Sequence, residues 1–441
     1  MPDLKPTKPL SGFVELSPVK QRCFDECARR MQNVLKTAGF TRLDLPAIER
    51  AEVLTDKDNW DEIETQMFLF QKGDTKMGLR YDGTVGLARY VAGNAGQLTF
   101  PFRPYQFARN YRGERPQKGR YREFYQMDLD VLGISELSEN YDAEIVAVLS
   151  KMYESIREFV GGVNIRVGSR PFWNAMFEYM ELDSATARQA FILIDKRTKL
   201  GDEFGAALRE VMGDKADVIL SVFGEGYKSF LNKTPRLDSA ISEIDAFVLN
   251  LSKFGIKNAV IDLGVMRGHG YYTGLVFEFY LDNYPELDAI GGGGRYADLV
   301  AKFSKTNIIG VGAAVGFSRM MVALLDEDRI DLTQFETPIS VTVLPMGEIA
   351  VPMAMEVTAA LRGAGVPTVV YLDADKKFKN QIEFANKIKS KFTVIIGEDE
   401  VENKTVSLKD MTTGVQETMP LDDLIPRLRR GGPAQPVGWV S

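Results

Sequence analysis

The chain has 441 residues, a formal net charge of −7 and 45% hydrophobic residues. That length accommodates two or three domains, and the globular composition allows a sizeable core without disulfides or metals. The count of 2 cysteines excludes a disulfide scaffold, and Cys23 and Cys27 are interpreted as packing residues rather than zinc ligands. An acidic chain argues against indiscriminate nucleic-acid binding. With neither an apolar leader nor a membrane-spanning window, the protein is expected to be soluble and cytoplasmic.

The first elements follow from hydrophobic spacing. Residues 18–40 carry apolar side chains at helical spacing and predict an amphipathic helix. The run LDLPAIE (43–49) predicts a short extended segment, whose Pro46 belongs at a sheet edge. Aromatic and β-branched runs from about 63 to 133 predict an antiparallel sheet.

The middle of the chain is predicted to be helical. Residues 138–160 favour a helix, and residues 172–250, dense in Ala, Leu, Glu and Lys, predict a helical insertion. Strand character then returns at 259–265, 274–281 and 308–317.

The tail alternates strand and helix, which predicts a separate small α/β domain. Its strands are expected at 341–345, 368–372 and 393–397, with helices over 350–362 and 376–390 and a hairpin turn at 412–414. The predicted fold class is α+β, an antiparallel sheet flanked by helices with a helical insertion and a C-terminal α/β domain. The predicted boundaries are a first domain over 1–325, a linker over 326–337, the tail domain over 338–430 and a C-terminal segment over 431–441.

Residues 103–124 hold 7 basic side chains against 2 acidic ones in an otherwise acidic chain. The segment RPQKG (115–119) lies between two strand-like runs and predicts a hairpin loop. On the return strand, side chains alternate between two faces. Odd positions from Tyr121 to Val131 predict a core face. The even positions are predicted to share the opposite face: Arg120, Arg122, Phe124, Gln126, Asp128 and Asp130.

Two interpretations of this polar face are open. It is either a solvated sheet face with surface ion pairs, or a platform for a ligand that is anionic at one end and cationic at the other. Arginine binds phosphate bidentately, an aromatic ring stacks on a base, and carboxylates bind an ammonium. ATP beside an amino acid fits the second interpretation. Glycine-bearing segments at 79–84, 266–274 and 291–299 favour a ligand, because glycine lets backbone approach it closely.

These segments resemble a known family. FARNYRGERPQKGRYREFYQMDLDVLG (107–133) resembles motif 2 of class II aminoacyl-tRNA synthetases in its histidyl form. MRGHGYYTGLVFE (266–278) and GGGGRYADLV (291–300) are similar to the two histidine signatures, and GVGAAVGFSR (310–319) is similar to motif 3. The helix over 18–40 with its following segment resembles motif 1, the dimer-forming element, and the tail resembles an anticodon-binding domain.

The resemblance implies site residues for ATP and for histidine. Arg112 and Arg267 would be catalytic, flanking the α-phosphate. The implied ATP-binding residues are Arg112, Glu114, Arg120, Phe124 and Arg319. The implied histidine-binding residues are Asp82, Thr84, Gln126, Asp130, Arg267, Tyr271, Tyr272 and Tyr296. Mg²⁺ would accompany ATP, with its protein ligands left unassigned.

The implied activity is the ATP-dependent activation of histidine and its transfer to tRNA(His) by a homodimer. His269, the single histidine of the chain, is not required as a base, because the attacking carboxylate is already ionised. Lysines on the predicted tail helix either form a solvated face or contact tRNA phosphates. Two rival functions share parts of this pattern: the regulatory subunit of ATP phosphoribosyltransferase, and a non-catalytic tRNA sensor.

Overall fold

A computed structural model describes residues 6–55, 65–266, 272–297, 300–303, 306–336, 339–374 and 376–431. The chain folds into two compact units. The larger comprises residues 1–17 and 24–330, and the smaller comprises residues 18–23 and 331–441. The predicted domain boundaries remain predictions, although the change of unit near Ile330 falls within the predicted linker.

An eight-stranded sheet forms the centre of the larger unit, in the order β1-β5-β6-β11-β10-β9-β7-β8. Its strands are β1 (Thr41–Arg42), β5 (Pro104–Tyr111), β6 (Glu123–Ile134), β7 (Val163–Ser169), β8 (Ala259–Ile261), β9 (Tyr272–Leu281), β10 (Gly291–Tyr296) and β11 (Ile308–Val315). Between β5 and β7 in this order, each strand runs antiparallel to the next, whereas β1 pairs with β5 and β8 with β7 in parallel. The prediction of an antiparallel sheet flanked by helices is therefore confirmed, with one parallel pair at each edge.

A separate three-stranded sheet contains β2 (Ile48–Arg50), β3 (Leu69–Lys72) and β4 (Thr75–Leu79) in the order β2-β4-β3. The segment of about 63–133, predicted as an antiparallel sheet, is therefore divided between two sheets, because a helix over Thr84–Asn94 separates these strands from β5. The extended segment predicted at 43–49 forms a strand only from Ile48.

Helices make up much of the rest of the described chain before residue 331. They are α1 (Pro18–Thr37), α2 (Ala51–Leu54), α3 (Thr84–Asn94), α4 (Asn140–Glu154), α5 (Arg157–Val160), α6 (Arg170–Tyr179), α7 (Ser184–Asp195), α8 (Arg197–Leu200), α9 (Phe204–Met212), α10 (Ala216–Glu225), α11 (Pro235–Lys253) and α12 (Phe317–Asp326). The apolar stripe of α1 is buried, as are Cys23 and Cys27, whose thiols are free. Their interpretation as packing residues is confirmed.

Local signals explain where the insertion helices begin. The hydroxyl of Ser169 accepts a hydrogen bond from the Phe172 N–H at the start of α6, and Thr234 does the same for Leu237 in α11. Each helix also has a proline in its first turn, where no backbone donor is needed. The segment predicted as a helical insertion is helical from Arg170 to Lys253 with short interruptions.

Strand β10 was missed by the sequence analysis, since its Gly-Gly-Gly-Gly start is poor strand material. It nevertheless pairs on both sides, with β9 and with β11. A Cβ atom on Gly293 would lie 2.0 Å from the carbonyl oxygen of Gly312 on β11. The glycines therefore let this strand pack closely into the centre of the sheet.

The smaller unit contains a five-stranded sheet in the order β13-β12-β14-β15-β16. Its elements are β12 (Val341–Pro345), α13 (Val351–Gly363), β13 (Thr368–Val370), α14 (Phe378–Lys387), β14 (Phe392–Ile396), α15 (Glu398–Asn403), β15 (Thr405–Asp410), β16 (Gln416–Pro420) and α16 (Leu421–Gly431). Strands β12, β13 and β14 are parallel, as the strand–helix alternation predicts, and β15 and β16 form the predicted hairpin. Helix α14 is shorter than predicted, so Lys376, Lys377 and Lys389 lie outside it.

Among the described helices, none has both the length and the apolar character needed to cross a membrane.

Candidate active site

The charged hairpin forms as predicted. Strands β5 and β6 pair antiparallel from Tyr105 opposite Leu129 to Tyr111 opposite Glu123. The loop between them closes with two backbone hydrogen bonds between Gln117 and Arg120, of 3.2 and 2.8 Å. Gly119 occupies this turn with a φ of +71°, a conformation that favours glycine.

Within β6 the predicted alternation of faces holds. One face buries Met127, Leu129 and Val131. The opposite face is also closed to solvent, because Gln126, Asp128 and Asp130 are only 9%, 4% and 5% exposed. The interpretation of these polar residues as a solvated sheet face is therefore wrong.

The alternation does not extend to Arg120, Tyr121 and Arg122, which precede β6. Tyr121, predicted on the core face, instead lines a cleft together with Arg120. Burial raises the pKa of Tyr121 to about 12, and the nearby Asp326 carboxylate adds to the rise. The phenol therefore stays neutral in this cleft.

The cleft has a volume of about 260 Å³. It is lined by residues of the hairpin and of the turn into α12: Arg112, Glu114, Gly119, Arg120, Tyr121, Phe124, Gln126, Gly316 and Arg319. All five residues predicted to bind ATP are among them. The structure therefore brings together side chains that lie up to 207 positions apart, from Arg112 to Arg319.

Aromatic rings hold Arg112 in place. Its guanidinium carbon lies 4.3 Å from the ring centroid of Tyr81 and 5.1 Å from that of Phe124. Its Nε donates to the carbonyl oxygen of Tyr81 at 3.4 Å. Arg112 also lines the cleft, and the two terminal nitrogens of a guanidinium are the pair that binds phosphate bidentately. Tyr81 was not predicted as a site residue, since only the folded chain brings it to Arg112.

The hairpin loop is tied to its surroundings by charge pairs. Arg120 lies 3.6 Å from a carboxylate oxygen of Glu114 within the loop. Lys118, at the loop tip, pairs with Glu327 and lies 3.9 Å from Glu286. Arg329 also forms ion pairs with both acids, and its nitrogen lies 2.9 Å from a carboxylate oxygen of Glu286. This network fixes the tip beside the cleft.

The turn into α12 supplies the other wall. Arg319 donates to the carbonyl oxygen of Ala289 at 3.0 Å. Ser318 accepts the backbone N–H of Tyr125 through its hydroxyl at 2.8 Å, which joins α12 to β6. A Cβ atom on Gly119 would lie 3.3 Å from Arg319 Cγ. The hairpin tip and the arginine are thus in close contact.

A second group of polar residues lies beyond Gln126. Asp82, which is buried, accepts the backbone N–H groups of Thr84 and Val85 at 3.0 and 3.1 Å and so caps α3. Asp82 directly follows Tyr81, whose ring stacks against the guanidinium of Arg112. Predicted residues Asp82 and Thr84 therefore stand at the start of one helix.

Asp130 and Tyr296 form a buried pair, in which the tyrosine hydroxyl donates to Asp130 Oδ1 at 2.7 Å. Tyr272 lies opposite Tyr296 on the neighbouring strand β9. Glycines make room for both members of the pair. A Cβ atom would lie 2.0 Å from Asp130 Oδ1 if placed on Gly312, and 2.4 Å from Tyr296 Cζ if placed on Gly310.

Burial raises the pKa of Asp130 to about 7. The carboxylate of Asp82 also raises it, whereas the hydrogen bond from Tyr296 lowers it. Burial likewise raises the pKa of Asp128 to about 7, although its hydrogen bond from Gln126 and the nearby Arg80 act in the opposite direction. Asp82, Asp128 and Asp130 are thus buried carboxylates that interact electrostatically. This acidic cluster, here called the acidic pocket, favours a nearby cation.

Of the predicted site residues, Arg267 and Tyr271 lie outside the described residues. Those that the structure describes fall into two sets, one around the arginine cleft and one in the acidic pocket, with Gln126 at the boundary. Asp128 belongs to the pocket but was given no role in the sequence analysis. The strand alternation, which places Asp128 on the same face as Gln126 and Asp130, was the signal that could have found it.

Comparisons with known proteins agree with this geometry. A sequence profile of histidyl-tRNA synthetases matches residues 12–324, and one of an anticodon-binding domain matches residues 340–430. A histidine–tRNA ligase of Clostridium tetani is 34% identical over 431 residues, which cover 94% of this chain and 96% of that protein. A relative of the same name from Stenotrophomonas maltophilia is 31% identical and covers 97% of this chain and 98% of its own.

A solved structure shows the same arrangement. The histidyl-tRNA synthetase of Nostoc sp. PCC 7120 superposes with a TM-score of 0.84 at 28% identity, covering 97% of this chain and all of that one. Sheet, arginine-lined hairpin and C-terminal unit together define an aminoacyl-tRNA synthetase of class II. With residues 12–324 matched by the first profile and relatives above 30% identity, the chain belongs to the histidyl-tRNA synthetase family.

Proposed function

We propose that this chain is a histidine–tRNA ligase, which joins histidine to ATP to form histidyl-adenylate and then transfers the histidyl group to tRNA(His). One observation carries the proposal: Gln126 lines the cationic cleft and also donates a hydrogen bond to Asp128 in the buried acidic cluster. A nucleotide triphosphate suits the first, and an amino acid with an ammonium group and a ring N–H suits the second.

At the ATP end, Arg112 contacts the α-phosphate and Arg319 the γ-phosphate. The carboxylate of Glu114 accepts a hydrogen bond from the amino group of adenine, and Phe124 stacks on the base. Arg120 adds positive charge beside the phosphates. Guanidinium groups keep their charge at any physiological pH, so they stabilise the negative charge that develops on the transferring phosphorus.

At the histidine end, Asp82 and Gln126 hold the α-ammonium, with Thr84 beside them. Asp130 and Tyr272 contact the imidazole, and Tyr296 orients the Asp130 carboxylate through its hydrogen bond. Arg267 contacts the α-phosphate from the side opposite Arg112, and Tyr271 joins the imidazole-binding residues; both assignments rest on the sequence motif alone.

The first reaction needs no base. The ionised carboxylate of histidine attacks the α-phosphorus, the bond to the bridging oxygen breaks, and pyrophosphate leaves. In the second reaction, a ribose hydroxyl at the 3′ end of the tRNA attacks the activated carbonyl, and AMP leaves. The residues of this chain hold the reacting groups together, which is a large part of what such transfers require.

Mg²⁺ is proposed to enter with ATP. Among the described residues there is no group of three or more His, Cys, Asp or Glu side chains suited to a metal ion. Within the part of the chain that the structure describes, Glu114 is the one carboxylate that lines the cleft. This donor set fits an ion that is held mainly by phosphates and water, the common mode of Mg²⁺ binding. When bound, the ion would offset charge on the phosphates.

The smaller unit is proposed to bind the anticodon arm. Two lysines near α14 are already paired, Lys387 with Glu383 at 2.8 Å and Lys389 with Glu336. The lysines left for phosphate contacts are Lys376, Lys377, Lys379 and Lys391, and the first three, which lie together around the start of α14, are the favoured ones. The proposed phosphate contacts are thus a subset of the lysines on the predicted tail helix.

The enzyme is also proposed to act as a cytoplasmic homodimer. The apolar stripe of α1 is used inside the chain, so that stripe cannot supply the interface. The three-stranded sheet offers exposed apolar side chains instead, namely Ile48, Leu69 and Phe70 at 48%, 41% and 41% exposure. Apolar surface of this kind favours a two-fold contact.

Histidine-dependent exchange of pyrophosphate into ATP tests the proposal. We expect exchange with histidine, no exchange with other amino acids, and charging of tRNA(His) in the full reaction. A regulatory subunit or a tRNA sensor would give no exchange. Absence of exchange by the folded protein with ATP, Mg²⁺ and histidine would therefore overturn the proposal.

A further inference from the structure

Gln126 has an amide whose orientation is fixed by one neighbour. Its Nε2 donates to Asp128 Oδ1, and both residues are buried. An ionised carboxylate accepts hydrogen bonds but has none to donate. With the amide nitrogen on Asp128, the carbonyl Oε1 is the polar atom of Gln126 left for the cleft that this residue lines.

Asp128 itself is buried among its neighbours. Its cross-strand neighbours are Gln106 on β5 and Ala314 on β11. A Cβ atom on Gly83 would lie 2.6 Å from its Oδ2, so that the glycine is what admits the carboxylate. Asp128 is not among the described residues that line the cleft. Asp128 would therefore act on a ligand there either through its electric field or through another side chain.

Three charged groups act on Asp128. Asp82, from the turn before α3, and Asp130, on the same strand, are negative, while Arg80, which follows β4, is positive. Arg80 is committed to backbone, since it donates to the carbonyl oxygens of Arg109 at 2.7 Å and Leu45 at 2.8 Å. Of the contacts that Asp128 makes with described residues, the hydrogen bond from Gln126 is the one that reaches the cleft.

We propose that Asp128 is a positioning residue, which holds Gln126 with its carbonyl oxygen toward the substrate and so selects an amino acid with a free α-ammonium group. This inference rests on the proposed function. In the opposite orientation, Gln126 would present its N–H groups to an ammonium, which has only donors. An amide can point either its N–H groups or its oxygen at the substrate. The carboxylate of Asp128 holds Gln126 so that the oxygen, a hydrogen-bond acceptor, faces the substrate.

A double-mutant cycle separates positioning from a direct effect of charge. The Michaelis constant for histidine is measured by pyrophosphate exchange in the wild type, Asp128→Asn, Gln126→Ala and the double variant. An asparagine at position 128 can donate or accept a hydrogen bond, so the amide of Gln126 samples both orientations. The fraction of molecules with Oε1 toward the ammonium group therefore falls. We expect the constant for histidine to rise roughly threefold or more in Asp128→Asn, with that for ATP unchanged.

In the Gln126→Ala background, the same Asp128→Asn change should have almost no further effect, because the side chain it acts through is gone. Asp217→Asn, an exposed aspartate paired with Arg209, is the matched control and should behave as wild type. Equal effects of Asp128→Asn in both backgrounds would overturn the proposal. So would an equal rise of both Michaelis constants in Asp128→Asn.

A second variant tests orientation directly. The pair Gln126→Glu with Asp128→Asn exchanges amide and carboxylate and keeps the net charge. The new carboxylate at position 126 accepts from the new amide at position 128 and still offers an oxygen to the ammonium, so histidine binding should return toward the wild-type value. Failure to recover relative to Asp128→Asn, in a protein with unchanged melting temperature, would contradict the inference. Loss of exchange in the wild type would instead contradict the proposed function.

Discussion

Tyr296 donates its hydroxyl hydrogen to Asp130 at 2.7 Å, although the two residues are 166 positions apart in the chain. They sit on β10 and β6, with β11 between them. The pair shows how the sheet assembles the acidic pocket from distant segments. It also gives Asp130 a fixed orientation.

Asp130→Asn is expected to weaken histidine binding through the imidazole. The neutral amide is a poorer acceptor than a carboxylate for a ring N–H. Because sites built on hydrogen bonds discriminate strongly, the Michaelis constant for histidine should rise roughly tenfold or more, with that for ATP nearly unchanged. Pyrophosphate exchange at varied histidine and ATP measures both. A parallel rise of the two constants would mean that Asp130 is structural.

Arg267→Ala is expected to suppress adenylate formation while histidine still binds. A fixed positive charge beside the α-phosphate acts mainly in the transition state, and loss of one such contact costs about 2.7–4 kcal/mol in the barrier. The exchange rate should therefore fall by roughly two to three orders of magnitude. Calorimetry should detect histidine binding to the variant. An exchange rate near that of the wild type would remove Arg267 from the mechanism.

Glu243→Gln is expected to stabilise the fold at alkaline pH. Burial raises the pKa of Glu243 to about 7, and the carboxylates of Glu139 and Asp142 add to the rise against Arg295. The folded state therefore binds more protons than the unfolded state between pH 4.5 and about 7, and stability falls as pH rises through that window. The gain should be on the order of 1–3 kcal/mol at pH ~8 and smaller at pH ~5. Melting temperatures of both proteins at both pH values test this; a gain that is larger at the lower pH would be the wrong sign.

Replacing Lys376, Lys377 and Lys379 by alanine should weaken tRNA binding and leave pyrophosphate exchange intact. Each lost phosphate contact reduces the salt dependence of binding, by a slope of about 1 or less per contact. The Michaelis constant for tRNA, measured at several salt concentrations, reports both effects. Lys387→Ala is the matched control, since its ammonium is already paired with Glu383. An unchanged salt slope in the triple variant would point to a different tRNA-binding surface.

Replacing Leu69 and Phe70 by glutamate should dissociate the proposed dimer, because charges on a two-fold surface face each other. Sedimentation of the wild type at micromolar concentration should give twice the mass of the chain, and the double variant should approach a monomer. A Leu10→Glu variant, also at an exposed apolar position, is the control. A monomeric and active wild type would count against the dimer.

Much of the fold follows from periodic patterns in the sequence. The helix over Pro18–Thr37, the hairpin and the alternating tail domain were predicted because their apolar spacing is a local property. The shared face of Gln126 and Asp130 followed from the alternation along β6, whereas their burial did not. Residues that act across the fold were harder to predict. Tyr81 matters because it lies under Arg112, and nothing near it in the sequence indicates that contact.

The missed strand β10 illustrates a second limit. Glycine is unfavourable in a strand, so Gly291–Gly294 predicts a turn or a ligand loop. In the fold, the cost is offset by close packing against β11 and by room for buried polar groups. Those gains depend on the neighbouring strands, which local propensity does not include.

The glycines behind Asp130 and Tyr296 set a limit on how this pocket can change. A pocket lined by side chains can be enlarged by a rotamer change or by a smaller residue. A surface formed by the main chain of glycines cannot be enlarged in that way. Gly310 and Gly312 are already the smallest residues available, and any Cβ there would strike the pair in front of it. Selection for a bulkier amino acid, in the laboratory or in nature, would have to reshape the opposite side of the pocket. On the proposed assignment of Asp130 and Tyr296 to the imidazole, the backbone of β11 limits the size of the ring that can bind there.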